Sequence, residues 1–315
     1  MGAIATKRKE FELSEGAREF YRECWKIAYE TAQKLGVDAS FLRGREDPHA
    51  STKLFAESYD LEFPPREMKK MGEELNRIFA RRNNLPERIS NEKNLDALFD
   101  YMEEKFGIRR SGIDVVEWPE WGAGVPNKLH YEKRGLILSS VVGVFHEMSH
   151  LRWLSIMKVD PDAMQHHPDI RRSFGRYIEG RTLFEERSLL KNEDEVLRAR
   201  VALRFLGEIA MPSPQFYKEH GKEDGSSVAR KYSEGFKYYF ALWEDLKGKL
   251  EVFEEICAKK NLVPGISKEG KLVAIDHEKM EMFDINTEKL KAGITDINEL
   301  KGKSDLPSHL PKNLK

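Results

Sequence analysis

From Ser14 to Gly107 apolar residues return every three or four positions in three separate runs, a spacing that admits little besides packed helices. Residues 14–36 open on Ser14 and close on Gly36, with Phe20, Trp25, Ile27, Ala28 and Ala32 forming the stripe. Residues 64–84 follow two prolines and repeat the spacing through Met68, Met71, Leu75 and Phe79. Residues 91–107 carry an Asn at the start and a Gly at the end, an N-cap and a C-terminal stop. Between the first two runs, Phe41 to Phe63 is irregular, with REDPHAS reading as loop.

The period then changes. Ile113 to Trp118 is a short β-rich run, and KLHYEKRGLILSS (128–140) resembles two short strands around the turn EKRG. Helical spacing resumes over about Ser140–Met157, Pro168–Leu190, 193–211 and 227–261. After Pro264 come one or two short strands and then a polar tail without apolar periodicity, expected to pack loosely or to be disordered. The pattern predicts a mainly α-helical α+β protein, with a small antiparallel or mixed sheet before the helix at 140–157. Three regions are expected: helices over 1–110, a core over 111–262, and a β segment with a polar tail over 263–315.

Composition narrows the function. Lys and Arg number 53 against 54 Asp and Glu, a net charge of −1 that offers nothing to steer a nucleic acid or a membrane. No segment approaches the roughly 20 apolar residues of a membrane span, and the first residues lack the apolar stretch of a secretory signal. Two distant cysteines, Cys24 and Cys257, form no disulfide framework and fit a reducing, cytoplasmic setting. With three glutamines among abundant Lys, Glu and Arg, the balance resembles that of thermophile proteins.

One stretch carries chemistry: VVGVFHEMSHLRW, residues 141–153. His146 and His150 are four apart, about 40° from one another around a helix, so both imidazoles can reach one ion. Glu147 lies one step round, too far for easy coordination and near enough to hold a water on that ion. Val141, Val144, Phe145, Met148 and Leu151 form an apolar stripe on the other side. Catalytic zinc takes three protein ligands and keeps a fourth position open, so a further ligand is needed. Both cysteines are far away in sequence, and the extended pattern H-E-x-x-H-x-x-G-x-x-H is absent, Trp153 standing at its Gly and Ile156 at its third His. A carboxylate downstream is therefore expected. Glu179, next to Gly180, is the leading candidate, because glycine lets a helix come close to the metal. Glu186 lies seven residues on at nearly the same angle, as a ligand or as a partner to a ligating His. Glu234, also followed by Gly, is the rival, and Glu185 falls on another face.

HEMSH followed by EGRT resembles the gluzincin metallopeptidases, over roughly residues 128–190. The resemblance implies zinc held by His146, His150 and Glu179, with Glu147 as general base. Thr182 stands where such proteins have a small Ala, Gly143 where Val or Thr is common, and Arg152 where an apolar residue is usual. Leu183 replaces an Asp four residues after the ligand, which makes Glu186 the substitute. A strand edge beside the active helix would pair with an extended peptide, and 128–140 is placed to supply it.

On this reading zinc brings the pKa of its water to about 7, Glu147 takes the proton, and one further donor steadies the oxyanion. His220, Tyr232, Tyr238 and Tyr239 are the donor candidates, His220 and Tyr232 being kept as catalytic residues with Glu147. Arg171, Arg172, Arg176 and Arg181 offer a grip for a C-terminal carboxylate. The expected function is a zinc peptidase acting on a peptide or protein substrate. The alternative is a zinc-stabilised, non-catalytic scaffold, and a helical module in which HEMSH is coincidence is the third reading. The two zinc-binding readings part on Glu147→Gln, which on the peptidase reading should keep zinc and lose turnover.

Overall fold

The computed structural model describes residues 13–48, 66–110, 114–118, 128–132, 135–159, 164, 167–210 and 227–302, with the backbone alone at 114–118, 128–132, 210 and 227–233. Helix α1 (Glu15–Leu35) starts where the Ser14 side chain accepts from the Ala17 N–H and stops at Gly36 in the left-handed region. Helices α2 (Arg66–Arg82) and α3 (Glu92–Phe106) follow, the latter capped by Asn91 and ended by Gly107 at φ 67°. Serine and asparagine side chains satisfy first-turn N–H groups, and glycine takes the positive φ of the stop without a Cβ penalty.

Strands β1 (Asp114–Trp118) and β2 (Lys128–Glu132) pair in parallel. Among the described residues no hairpin forms over 128–140: Ile137 already begins helix α4 (Ile137–Met157), so the apolar residues from there on are helical. The mainly α-helical α+β class is observed, but the pair before α4 is parallel, and the antiparallel sheet comes later in the chain. Helix α5 (Pro168–Glu186) runs into a 3-10 turn at Arg187–Lys191, and α6 (Glu195–Ala210) begins where the Asp194 carboxylate accepts from the N–H groups of Val196 and Leu197. The long helix expected over 227–261 is two helices, α7 (Ser227–Leu246) and α8 (Lys249–Lys259). Lys247 and Gly248 between them both have positive φ, which ends one helix and starts the next.

The residues after 263 are more ordered than their polarity suggests. Strands β3 (Val263–Ile266), β4 (Leu272–Asp276) and β5 (Glu281–Asp284) form an antiparallel sheet, followed by short helices α9 (Thr287–Lys291) and α10 (Ile297–Leu300). Leu290, Ile297 and Leu300 are buried, so three well-spaced apolar residues anchor a segment otherwise polar. Residues 303–315 lie outside the described residues.

Two apolar clusters hold the fold. The first joins α1, α2, α3 and α6 with the first half of α4, through residues such as Phe20, Phe79, Leu98, Val141 and Phe205. The second joins the later half of α4 with α5, α7, α8 and β3–β4, through Trp153, Tyr177, Phe253, Val263 and Ile275. The helices of 1–110 thus share a core with those of the central region, and the β segment shares one with α5 and α8. Helix α4 is buried on most sides rather than along one stripe: Val142, Ser149 and Trp153 are buried, whereas Phe145, Met148 and Leu151 are half-buried.

Helix α4 begins without a cap of its own. Buried Asn76, from α2, supplies one: its Oδ1 accepts from Leu138 N–H at 2.9 Å while its Nδ2 donates to Glu87 C=O at 3.0 Å. The Ile137 N–H also donates to Glu87 C=O, and Arg88 bridges to Leu136. The start of α4 is therefore fixed by side chain and backbone from an earlier part of the chain. Among the described residues no helix is long and apolar enough to cross a membrane.

Candidate metal centre

Helices α4 and α5 both cross from one apolar cluster to the other, and the polar residues of the site lie where they do so. On α4, Val144 belongs to the first cluster and Trp153 to the second, with His146 and His150 between them. On α5, Ile178 belongs to the second and Leu183 to the first, with Glu179 and Thr182 between.

Three atoms converge there. His146 Nε2 and His150 Nε2 lie 2.9 Å apart, and Glu179 Oε2 lies 3.3 Å from the first and 3.1 Å from the second. His146 and Glu179 are buried, His150 nearly so. Among the described residues this is the group of His, Cys, Asp and Glu whose donor atoms come close enough to share an ion. Nitrogen and oxygen ligands at the usual zinc distances sit about 3.3–3.5 Å apart at the corners of a tetrahedron, so the triangle is close to the required size.

The other ring nitrogens are anchored outward. His146 Nδ1 is 2.5 Å from Glu186 Oε1, and His150 Nδ1 is 3.1 Å from Thr182 Oγ1. Each oxygen can accept from an Nδ1–H, which leaves both Nε2 lone pairs facing the centre. Arg204 from α6 pairs with the same Glu186 oxygen at 3.2 Å and balances its buried charge. Burial disfavours the imidazolium of His146, but hydrogen bonds to Glu179 and Glu186 outweigh it and raise its pKa to about 9. Without a cation, a proton is thus drawn into the same place, the behaviour of a pocket built for positive charge.

Glu147 is half-buried and has no hydrogen-bond or ion-pair partner among the described residues. Glu186 is partner to a ring nitrogen rather than the third vertex. Glu234 is engaged by Arg176 Nε at 3.1 Å and stays outside the group, and Glu185 pairs with Arg181 at 2.5 Å. The role expected for Gly180 changes. It lets α5 meet α7, not the metal: a Cβ at Gly180 would lie 2.2 Å from the carbonyl oxygen of Gly235, and one at Gly235 would lie 2.6 Å from that of Arg176. The two Glu-Gly pairs are the two sides of one helix crossing, and that contact places Glu179.

Of the oxyanion candidates, Tyr239 packs edge-on against Tyr177 in the second core, and Tyr238 Oη donates to Lys268 C=O at 3.4 Å, so neither is aimed at the centre. Tyr232 is on α7 with its side chain outside the described residues, and His220 lies outside them altogether. Arg181 is held by Glu254 and Glu185, Arg176 by Glu234, and Arg171 and Arg172 are exposed. Thr182 and Arg204 had not been expected in the site. Thr182 follows Glu179 by three residues and so shares its face, a signal present in the sequence; Arg204 has none, because only the packing of α6 brings it to Glu186.

No family model matches the chain, and comparison with curated proteins and with solved structures finds no match. The gluzincin resemblance therefore rests on His146, Glu147, His150 and Glu179 and on their arrangement.

Proposed function

We propose that the protein is a zinc-dependent peptidase that hydrolyses amide bonds, with His146, His150 and Glu179 holding the ion and Glu147 carrying the proton. The observation that supports this most is the inward-facing triangle of lone-pair atoms whose outer nitrogens are each committed to an oxygen acceptor. A zinc ion bound there would acidify water and polarise a carbonyl. The chain supplies the rest. Glu147, next to His146 and without another partner among the described residues, takes a proton from the attacking water and returns it to the leaving amine as the C–N bond breaks. Strand β2 runs beside α4, pairs with β1 on one edge, and has no strand on its other edge among the described residues, a place for an extended peptide to add backbone hydrogen bonds. Two free, buried cysteines, Cys24 and Cys257, support a reducing cytoplasmic setting.

The test pairs metal analysis with turnover. Wild type should bind one zinc per chain and cleave members of a peptide library. Glu147→Gln should retain the zinc and lose about 10²–10⁴ in kcat, the range for a lost general base. A variant that keeps its activity would overturn the assignment of the base. A zinc-loaded wild type that cleaves none of the library would favour the scaffold reading.

A further inference from the structure

Beside the site is a cavity of about 450 Å³ between α2, α4 and α6. Its wall on α4 includes Val142 and Gly143, one turn before His146, and Ser139, two turns before it. Two features of this cavity have no structural explanation in the fold.

The first is a pair of glycines inside helices. Gly72 on α2 and Gly143 on α4 both line the cavity, and a Cβ at either would meet no atom within 4 Å. A mid-helix glycine costs roughly 1 kcal/mol relative to alanine. Neither glycine has the excuse of Gly180, where a neighbouring backbone leaves no room; both keep space open.

The second is charge. Arg88, Arg200 and Arg204 line the cavity. Arg204 is paired with Glu186, and Arg88 is 3.9 Å from Glu73. Among the described residues Arg200 has a hydrogen bond to Ser139 Oγ at 3.3 Å and no carboxylate within ion-pair distance. Its burial, with Arg204 nearby, lowers its pKa to about 10 against the opposing pull of Glu186. Glu208, the other acid on the wall, has its carboxyl pushed up to about 7 by burial, against the pull of Arg204, so it offsets the arginines only in part at neutral pH.

We infer that this cavity is a carboxylate-binding subsite, in which Arg200 takes the free C-terminus of a peptide substrate while Gly72 and Gly143 leave room for its last residues. The inference rests on the peptidase reading for its substrate. Ser139, the partner of Arg200, stands seven residues before His146, about 10 Å along the helix at 1.5 Å per residue. An extended peptide covers that span in about three residues. The bond cut would lie two or three residues from the C-terminus, and short peptide fragments would be the products. Guanidinium is suited to this role because its planar fork matches both oxygens of a carboxylate.

Binding of three N-acetylated tripeptides to the metal-free protein, followed by calorimetry or ligand-observed NMR, tests the subsite without relying on turnover. One has a free C-terminus, one is the same peptide as an amide, and one is an amide ending in Asp. The acid should bind at least tenfold more tightly than the plain amide. Arg200→Gln should abolish that preference, Arg200→Lys should restore part of it, and Gly143→Leu should weaken all three by filling the space. Preference for the acid over both amides assigns the C-terminus; equal binding of the Asp amide assigns an acidic side chain, and keeps the cavity as a carboxylate site. Equal binding of acid and plain amide, or a preference that survives in Arg200→Gln, overturns the inference. A protein that shows the preference but cleaves nothing retains the subsite and loses the peptidase reading. One that cleaves acid and amide alike, without the preference, does the reverse.

Discussion

Glu186 decides what His146 can do, because a carboxylate on Nδ1 fixes the tautomer and makes Nε2 a better ligand. Replacing it by Gln should weaken zinc binding about 10–100-fold, read by competition with a chelator. An unchanged affinity would remove Glu186 from the site. The same ring makes the metal-free protein sensitive to pH. Its folded pKa of about 9 lies above the ordinary value of 6.5. The stabilisation from the bound proton is therefore complete below about pH 6.5 and is lost as pH rises through about 9. At about 1.4 kcal/mol per pKa unit the loss amounts to about 3 kcal/mol. Thermal unfolding of metal-free protein should show this decline from pH 6.5 to 9, and the zinc-loaded protein, whose Nε2 carries no proton, should not. A metal-free protein equally stable at both ends would contradict the assigned environment of His146.

At the scale of the helices, two contacts between distant segments place the site. Asn76 caps α4 from α2, and replacing it by Ala leaves the Leu138 N–H and one acceptor position of Glu87 without this partner. The cost should be about 1–3 kcal/mol in urea unfolding. Gly180 and Gly235 let α5 and α7 touch along their backbones, where no flexible side chain can yield. Alanine at either should destabilise by about 1–3 kcal/mol, the range for overpacking, and should disturb zinc binding through Glu179. Unfolding midpoints unaffected by Gly180→Ala would show that the crossing has slack. The helices themselves were readable in the chain, because caps and stops such as Ser14, Gly36, Asn91 and Gly107 act on their immediate neighbours. The break at Lys247–Gly248 was not, since the apolar spacing continues on both sides and only the positive φ values separate the helices.

Across the whole molecule, the metal group sits at the seam of the two apolar clusters, on two of the helices that belong to both. A cation bound by α4 and α5 together would tie one cluster to the other. Ligand linkage then predicts that zinc at a thousand times its Kd adds about 4 kcal/mol to stability, seen as a rise in Tm. The sheet and short helices after 262 are part of the second cluster rather than an appendage. A chain ending at residue 262 would bare α5 and α8 where Val263, Ile266, Leu272 and Val273 now cover them. It should fail to show a cooperative unfolding transition by circular dichroism; a truncated chain that melts sharply would mean that the first cluster suffices.

The sequence by itself determined most of the helices, though not the break at Lys247–Gly248, and the pairing of His146 with His150, because these depend on 3.6-residue geometry within one segment. It also placed Glu147 beside them and singled out Glu179, Glu186 and Glu234 as acids that a later helix could bring in. What it left open was which acid comes near, since that depends on how α5 crosses α7 and α4. The tertiary structure decided this through steric contact: Gly180 against Gly235 sets Glu179 on the two imidazoles, turns Glu186 to the back of one ring, and leaves Glu234 with Arg176. The cavity with Arg200 was likewise invisible in the chain, because its walls come from three helices whose sequences carry no mark of the empty space between them.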